Sequence, residues 1–169
     1  MVKRSVVTAG GRWSWVGNRP AICRWADSVH ICDVDGAALE RAGGQCGITA
    51  PPRADVGNPG DTERVVADVL ARDGRIDVLV NNAGLGGARK PVETFSVEEW
   101  HRVFDVNIHG AFYLMRAIMP GMKDRRSGAI VNISTVKTGV PQRSVYIVTK
   151  GALMALLELW ARWVKWNDY

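Results

Sequence analysis

Short apolar runs alternate with longer amphipathic stretches, the pattern of a parallel sheet covered by helices. Arg4 to Ala9 and Val29 to Asp33 read as the first two strands. Residues near Ile48 to Val56 read as a third with a late start, because Pro51 and Pro52 cannot donate to a ladder. Asp61 to Asp73 is an amphipathic helix, with Val65, Val66, Val69 and Leu70 on one face and Gly74 as its stop. Ile76 to Asn81 follows as a buried strand, apolar throughout Val78, Leu79 and Val80 as central parallel strands are.

The second half repeats the alternation. Ser96 and Glu99 have capping-box spacing, and Phe95 is placed to staple against Trp100. A further helix spans about Asn107 to Lys123, and Pro120 is expected to bend or end it. Ser127-Gly128 turns into a buried strand, Ala129 to Ile133. A loop with Gly139 and Pro141 then leads to a last helix, about Val145 to Trp163, whose Trp160 and Trp163, with Trp166 beyond, read as packing residues. No repeat, low-complexity tract or linker is visible, so residues 1–169 read as a single domain.

Composition narrows the class. The 169 residues suffice for one real core, and 47% hydrophobic against 23% charged residues fits a soluble globular protein. No apolar run is long enough to span a bilayer, and Met1-Val2-Lys3-Arg4 enters the first strand without an apolar leader, so a cytoplasmic protein with no membrane partner is expected. Cys23, Cys32 and Cys46 are odd in number and lack CxxC spacing, which argues against a disulfide framework or zinc site. His30, His101 and His109 show no ligand spacing and read as structural. The net charge of +5 is spread among acids, as in Asp61 to Arg75, so no nucleic-acid partner is expected.

Candidate chemistry sits at the strand ends. Thr8-Ala9-Gly10-Gly11 follows the first strand, where glycine lets a backbone approach a pyrophosphate, although an ordinary strand-to-helix turn has the same composition. Asp33 closes the second strand, where an acid can accept from both ribose hydroxyls and would repel a 2′-phosphate, or serve as a turn acid before Gly36. Asp55-Val56 falls where an adenine could lie, with a turn role equally open. Asn81-Asn82-Ala83-Gly84 suits close approach of a ribose. Asn107 is either a helix cap or a link in a proton relay. The hydroxyls of Ser134 and Thr135 can steady a substrate oxygen or close a turn. Tyr146 and Lys150 are four apart on a helix, so they share a face, and an ammonium there favours the phenolate.

Taken together, these residues resemble the short-chain dehydrogenase/reductase family. The match is carried by Thr8-Ala9-Gly10, Asp33, Asp55, Asn82-Ala83-Gly84, Asn107, Ser134-Thr135, Tyr146 and Lys150, with Val106 to Phe112 and Tyr146 to Leu153 as its most specific text. The resemblance implies a Rossmann-like, doubly wound α/β domain that binds NAD(H) or NADP(H), Asp33 favouring the former. It implies hydride transfer to a small carbonyl or alcohol substrate. Tyr146 would exchange the proton and Lys150 would bind the nicotinamide ribose. A hydroxyl of the Ser134-Thr135 pair would orient the carbonyl, and Asn107 would hold a relay water. It further implies a homo-oligomer built through the two long helices, roughly Ser96 to Lys123 and Val145 to Trp163.

Three departures qualify the resemblance. Residues from about Arg12 to Ser28 keep the family's length but not its glycine-rich content, as two compensating reading-frame shifts would produce; Trp13 and Trp15 stand where glycines belong, Val16-Gly17 is a displaced remnant, and Pro20 limits where a helix begins. The segment between Thr135 and Tyr146 is about two residues short. The chain stops at Tyr169, where the family's next strand begins, so a sheet lacking its last strands and part of its substrate pocket is expected, with Ala129 to Ile133 as an apolar edge. The alternative to an oxidoreductase is therefore a catalytically inactive fragment or pseudo-enzyme that acts through helix-mediated association.

Overall fold

The computed structural model describes residues 3–9, 26–43, 48–49, 53–135 and 142–163. Five strands pair in parallel: β1 (Arg4–Thr8), β2 (Ser28–Cys32), β3 (Ile48–Thr49), β4 (Val78–Asn81) and β5 (Ala129–Asn132). Their order is β3-β2-β1-β4-β5, so the chain winds outward from β1 in both directions, as in a doubly wound sheet. Among the described residues five α-helices accompany them, the last following β5: α1 (Gly36–Gly43), α2 (Pro59–Asp73), α3 (Val97–Phe104), α4 (Gly110–Asp124) and α5 (Ser144–Trp163).

Side-chain alternation along the strands makes the layers. Val6 and Leu79 pack with Val65 and Val69 of α2 and with Leu114, Met115 and Ile118 of α4. Their neighbours Val7 and Val80 join Val29, Ile31 and Leu39 of α1 on the opposite face. Each fully buried aliphatic side chain contributes about 1.5–3 kcal/mol, so these two clusters hold the strand tips in place. The strand β5 is the exception. It pairs with β4 alone among the described residues, and Val131 stays 45% exposed, so it is an open edge rather than a buried strand.

Several local expectations are corrected. The β3 pairing lies ahead of Pro51-Pro52, not after them, and beyond the prolines the Ala54 N–H still donates to the Asp33 carbonyl at 3.1 Å; Asp55 and Val56 stand in the turn before α2. That helix starts two residues early because Asn58 caps it, accepting from Gly60 and Asp61, and Pro59 takes the first helical position. Its stop at Gly74 (φ 74°) is as expected, but Leu70 is 40% exposed and Thr62 is buried instead. Pro120 does not end α4, which runs on to Asp124 with Ile118 and Met122 buried on either side of the proline. The Ser96–Glu99 capping box forms, while Trp100 stacks on Phe104 at 5.2 Å and Lys90 lies over Phe95 at 5.0 Å. The helix α1 had no announced counterpart in the hydrophobic pattern.

Candidate active site

The carboxyl ends of β1 and β4 are stitched together by Thr8 and Asn82. The Thr8 hydroxyl accepts from the backbone N–H groups of Asn82 (3.0 Å) and Ala83 (2.9 Å), and the Asn82 amide donates to the carbonyls of Thr8 (3.0 Å) and Ala9 (3.4 Å). Asn81 extends the link to β5 by donating to Asn132 at 2.7 Å. Ala9 follows with φ 52°, a left-handed conformation that side chains resist, and so marks a forced turn at the strand tip. Gly10 and Gly11, with Trp13, Trp15, Val16, Gly17, Pro20, Cys23 and Cys46, lie outside the described residues, as does most of the stretch read as frame-shifted.

Beyond these tips opens a cleft of about 280 Å³ lined by residues that include Ala9, Asp33, Asp55, Val56, Ala83 and Gly84. Asp33, one residue past β2, is 6% exposed; Oδ1 accepts from the Asp35 N–H at 3.0 Å, and Oδ2 is buried with no hydrogen-bond partner. A buried carboxylate oxygen left unmatched is a strong acceptor awaiting a donor. Asp55 serves its turn, accepting from Gly57 N–H at 2.9 Å, and also takes an Arg102 guanidinium hydrogen bond at 2.7 Å on the cleft wall. The neighbouring Cys32 thiol is pushed up to about 12 by burial first and by the Asp33 charge second, so it stays protonated and inert.

Behind Gly84 of the cleft wall, α5 carries Lys150 and, one turn before it, Tyr146. Lys150 is 3% exposed; Nζ donates to the Ile133 carbonyl at 2.7 Å, and burial lowers its pKa below the ordinary lysine value. It stands 5.9 Å from the centre of the Tyr146 ring, and the Arg143 guanidinium carbon lies 5.7 Å from the same centre. Gly84 lies on the cleft wall beside the ammonium: a Cβ there would sit 3.4 Å from Lys150 Nζ and 3.7 Å from Asn107 Oδ1, in ordinary contact with both.

Asn107 lies at the centre of a wide π turn, Asp105–His109, which joins α3 to α4 and swings its side chain inward. Oδ1 accepts from the Leu85 N–H at 2.7 Å, while the amide donates to the Leu85 carbonyl (3.1 Å) and to Thr149 Oγ1 (2.8 Å). Thr149 in turn donates to the Tyr146 carbonyl at 2.8 Å. Ser134, at the tip of β5, donates its hydroxyl proton to the Lys150 carbonyl at 2.8 Å, and Thr135 follows it in the chain. The sequence-derived residues Asn107, Ser134, Tyr146 and Lys150 thus come together on α5 and the elements packed against it. Thr8, Asp33, Asp55, Val56, Asn82, Ala83 and Gly84 gather at the strand tips and in the cleft. Sequence reasoning passed over Thr149, Arg102 and Arg143. Arg143, three residues before Tyr146, carried a helical-face signal that could have found it.

A cleft beyond the carboxyl ends of parallel strands, on a sheet that winds both ways from β1, defines a doubly wound, Rossmann-like α/β fold. The family model for short chain dehydrogenase matches residues 26–166, and the chain belongs to the short-chain dehydrogenase family. It is 37% identical over 139 residues to the inactive 2-(S)-hydroxypropyl-CoM dehydrogenase 2 of Xanthobacter autotrophicus, covering 80% of this chain and 60% of that one. It is 32% identical over 159 residues to the 2-dehydro-3-deoxy-L-rhamnonate dehydrogenase (NAD(+)) of a Sphingomonas species, covering 92% of this chain and 64% of that one. The crystal structure of a metagenomic short-chain oxidoreductase in complex with NADP superposes with a TM-score of 0.89 at 26% identity, over 96% of this chain and 76% of that one. The chain therefore spans about three fifths of the length of such curated relatives. Among the described residues no helix is long and apolar enough to cross a membrane.

Proposed function

We propose that the chain is an NAD(P)-dependent oxidoreductase acting on a carbonyl or secondary alcohol, with Tyr146 as general acid and base. The observation that carries this reading is the buried Lys150 ammonium, set between Gly84 of the cleft wall and the Tyr146 ring. The described residues fit a dinucleotide. The unmatched Asp33 oxygen suits vicinal ribose hydroxyls, its charge opposes a 2′-phosphate and so favours NAD, and the bare Gly84 leaves room beside the ammonium.

Bound nicotinamide would supply the hydride donor or acceptor. Thr8, Asn82 and Ala83 would hold the cofactor at the strand tips, with Asp33, Asp55 and Val56 at its adenosine end; Gly10, outside the described residues, is the further candidate from the sequence. Tyr146 passes the proton to or from the substrate oxygen, and Lys150 steadies the resulting charge. Ser134 or Thr135 orients that oxygen. Asn107 fixes the Leu85 turn and Thr149, and through them the start of α5. Copies associate through the helical faces on which Phe112, Val148 and Met154 are exposed.

A second reading, a non-catalytic member acting through that association, is favoured by Ser134, whose hydroxyl proton is committed to the Lys150 carbonyl. Titration with NADH, followed by nicotinamide fluorescence, separates the two. Saturable enhancement, weakened roughly tenfold by Asp33→Ala, with turnover abolished by Tyr146→Phe at unchanged NADH affinity, supports the oxidoreductase. No binding at millimolar NADH alongside a stable dimer refutes it in favour of the second reading.

A further inference from the structure

We infer that Arg143 makes this site one for substrates that carry an anionic group, a carboxylate or an isosteric sulfonate, close to the reacting carbonyl or hydroxyl carbon. The inference deepens the proposed function, since it rests on Tyr146 being the proton-transfer residue. Arg143 is the residue immediately before α5, and its guanidinium carbon stands 5.7 Å from the centre of the Tyr146 ring. Its Nε is buried and has no hydrogen-bond partner. Among the described residues no carboxylate is placed against Arg143, whereas Arg4, Arg64, Arg75 and Arg102 each meet one; Arg125 also has an unmatched Nε and no carboxylate, but its Nη2 donates to the Ile76 carbonyl at 2.8 Å.

A guanidinium is charged at every accessible pH and presents donors in a planar fork that matches carboxylate and sulfonate oxygens. Arg143 as a whole is only half-buried, but its buried, unmatched Nε beside the phenol leaves a charge-assisted donor open to an acceptor that arrives with the ligand. The position is held. The carbonyl of neighbouring Gln142 accepts from the Lys90 N–H at 3.2 Å, and the Arg143 carbonyl accepts from Ile147 N–H at 3.0 Å as the first turn of α5. Asp33, Asp35 and Asp55 line the adenosine end of the cleft and outnumber its one lining cation, Arg102, which is paired with Asp55, while Lys150 and Arg143 flank the phenol. An anionic substrate is thus drawn to the reacting end and repelled from the other.

The test measures binding by calorimetry, with and without NADH, for pyruvate, acetoacetate and levulinate, and for their methyl esters. The wild type should bind at least one of the three acids roughly tenfold more tightly than its ester. Arg143→Gln should remove that preference while leaving the ester's affinity and NADH binding unchanged, and Arg143→Lys should restore part of it. Equal affinity for acids and esters, or a loss in Arg143→Gln that is the same for both, overturns the inference. If NADH fails to bind, the oxidoreductase reading falls, yet an acid preference that depends on Arg143 would still uphold an anion site here.

Discussion

Ser134 and Lys150 are tied in opposite directions. The Ser134 hydroxyl donates to the Lys150 carbonyl at 2.8 Å, and the Lys150 ammonium donates to the carbonyl of Ile133, the residue before Ser134, at 2.7 Å. The tip of β5 is thereby fastened to α5, and the Tyr146 helix is positioned by the strand that carries the candidate substrate hydroxyls. This matters because β5 lacks a second neighbour among the described residues, so beyond its bonds to Asn81 of β4 its end is held from α5. Ser134→Ala should lower stability by about 1 kcal/mol, the ordinary worth of one such bond, as read from the urea midpoint at constant m-value.

Lys150 also sets a pH dependence. Burial holds its folded-state pKa below the ordinary 10.5. Between the two values the unfolded chain binds more protons than the folded one, so stability rises with pH through that window. Below the folded-state value both states are charged and the full burial penalty applies; above 10.5 both are neutral and it is gone. Lys150→Met removes the ionisation. The stability of the wild type relative to this variant should therefore climb as pH is raised towards 10.5, measured by urea unfolding in alkaline buffers. A constant difference across the range would show that the ammonium is not desolvated.

Asn107 satisfies three groups at once, so its removal should be severe. Asn107→Ala leaves the Leu85 N–H and carbonyl and the Thr149 hydroxyl each short of a partner. The expected loss is about 2–4 kcal/mol in chemical denaturation. Asn107→Asp keeps the acceptor for Leu85 N–H but sets a carboxylate against the Leu85 carbonyl, so it should not rescue. If Asp were as stable as Asn, the bonds to the Leu85 carbonyl and Thr149 would carry nothing.

Much of this architecture was legible in the chain because the signals are local. Apolar runs such as Val78-Leu79-Val80, the Ser96–Glu99 box, Gly74 as a stop and the four-residue interval from Tyr146 to Lys150 each express backbone geometry that neighbours dictate. What escaped depends on partners distant in sequence. Leu70 matches the helical face by spacing, yet α4 covers only part of that face. Pro120 breaks a rule that burial of Ile118 and Met122 overrides. The π turn around Asn107 has no composition of its own, since Leu85 and Thr149 make it worthwhile. The direction of the Ser134 hydroxyl could not be read because its acceptor is a backbone carbonyl sixteen residues away.

Two glycines of α4 should respond oppositely to alanine. A Cβ at Gly110 would lie 2.9 Å from both the side chain and the carbonyl oxygen of Val56, so backbone must move. Gly110→Ala should lose about 1–3 kcal/mol and, because Val56 lines the cleft, weaken NADH binding as well. At Gly121 the nearest atom is the end of the Arg125 side chain, 3.2 Å away, which can swing aside. Gly121→Ala should be neutral or stabilising by up to about 1 kcal/mol, since alanine restricts the unfolded chain. Thermal melts of the two variants beside the wild type would check both signs.

Far from the cleft, His30 and Asp73 tie β2 to the end of α2. His30 is 2% exposed, and its Nε2 lies 2.8 Å from Asp73 Oδ2 and 3.2 Å from Ser28 Oγ. Partial burial pushes the Asp73 carboxyl up, but its hydrogen bonds from His30 and Ser28 and the charges of His30 and Arg4 outweigh this and hold it below the ordinary 3.8. A carboxylate with a depressed folded-state pKa stabilises the fold above 3.8, and that contribution is lost as pH falls through the folded-state value. Asp73→Asn should thus be less stable than the wild type at neutral pH, with the gap closing on acidification below 3.8. Urea unfolding of both proteins at stepped pH reads the gap directly. A gap that stays constant in acid would mean that the pair acts through packing and not through the carboxylate's charge.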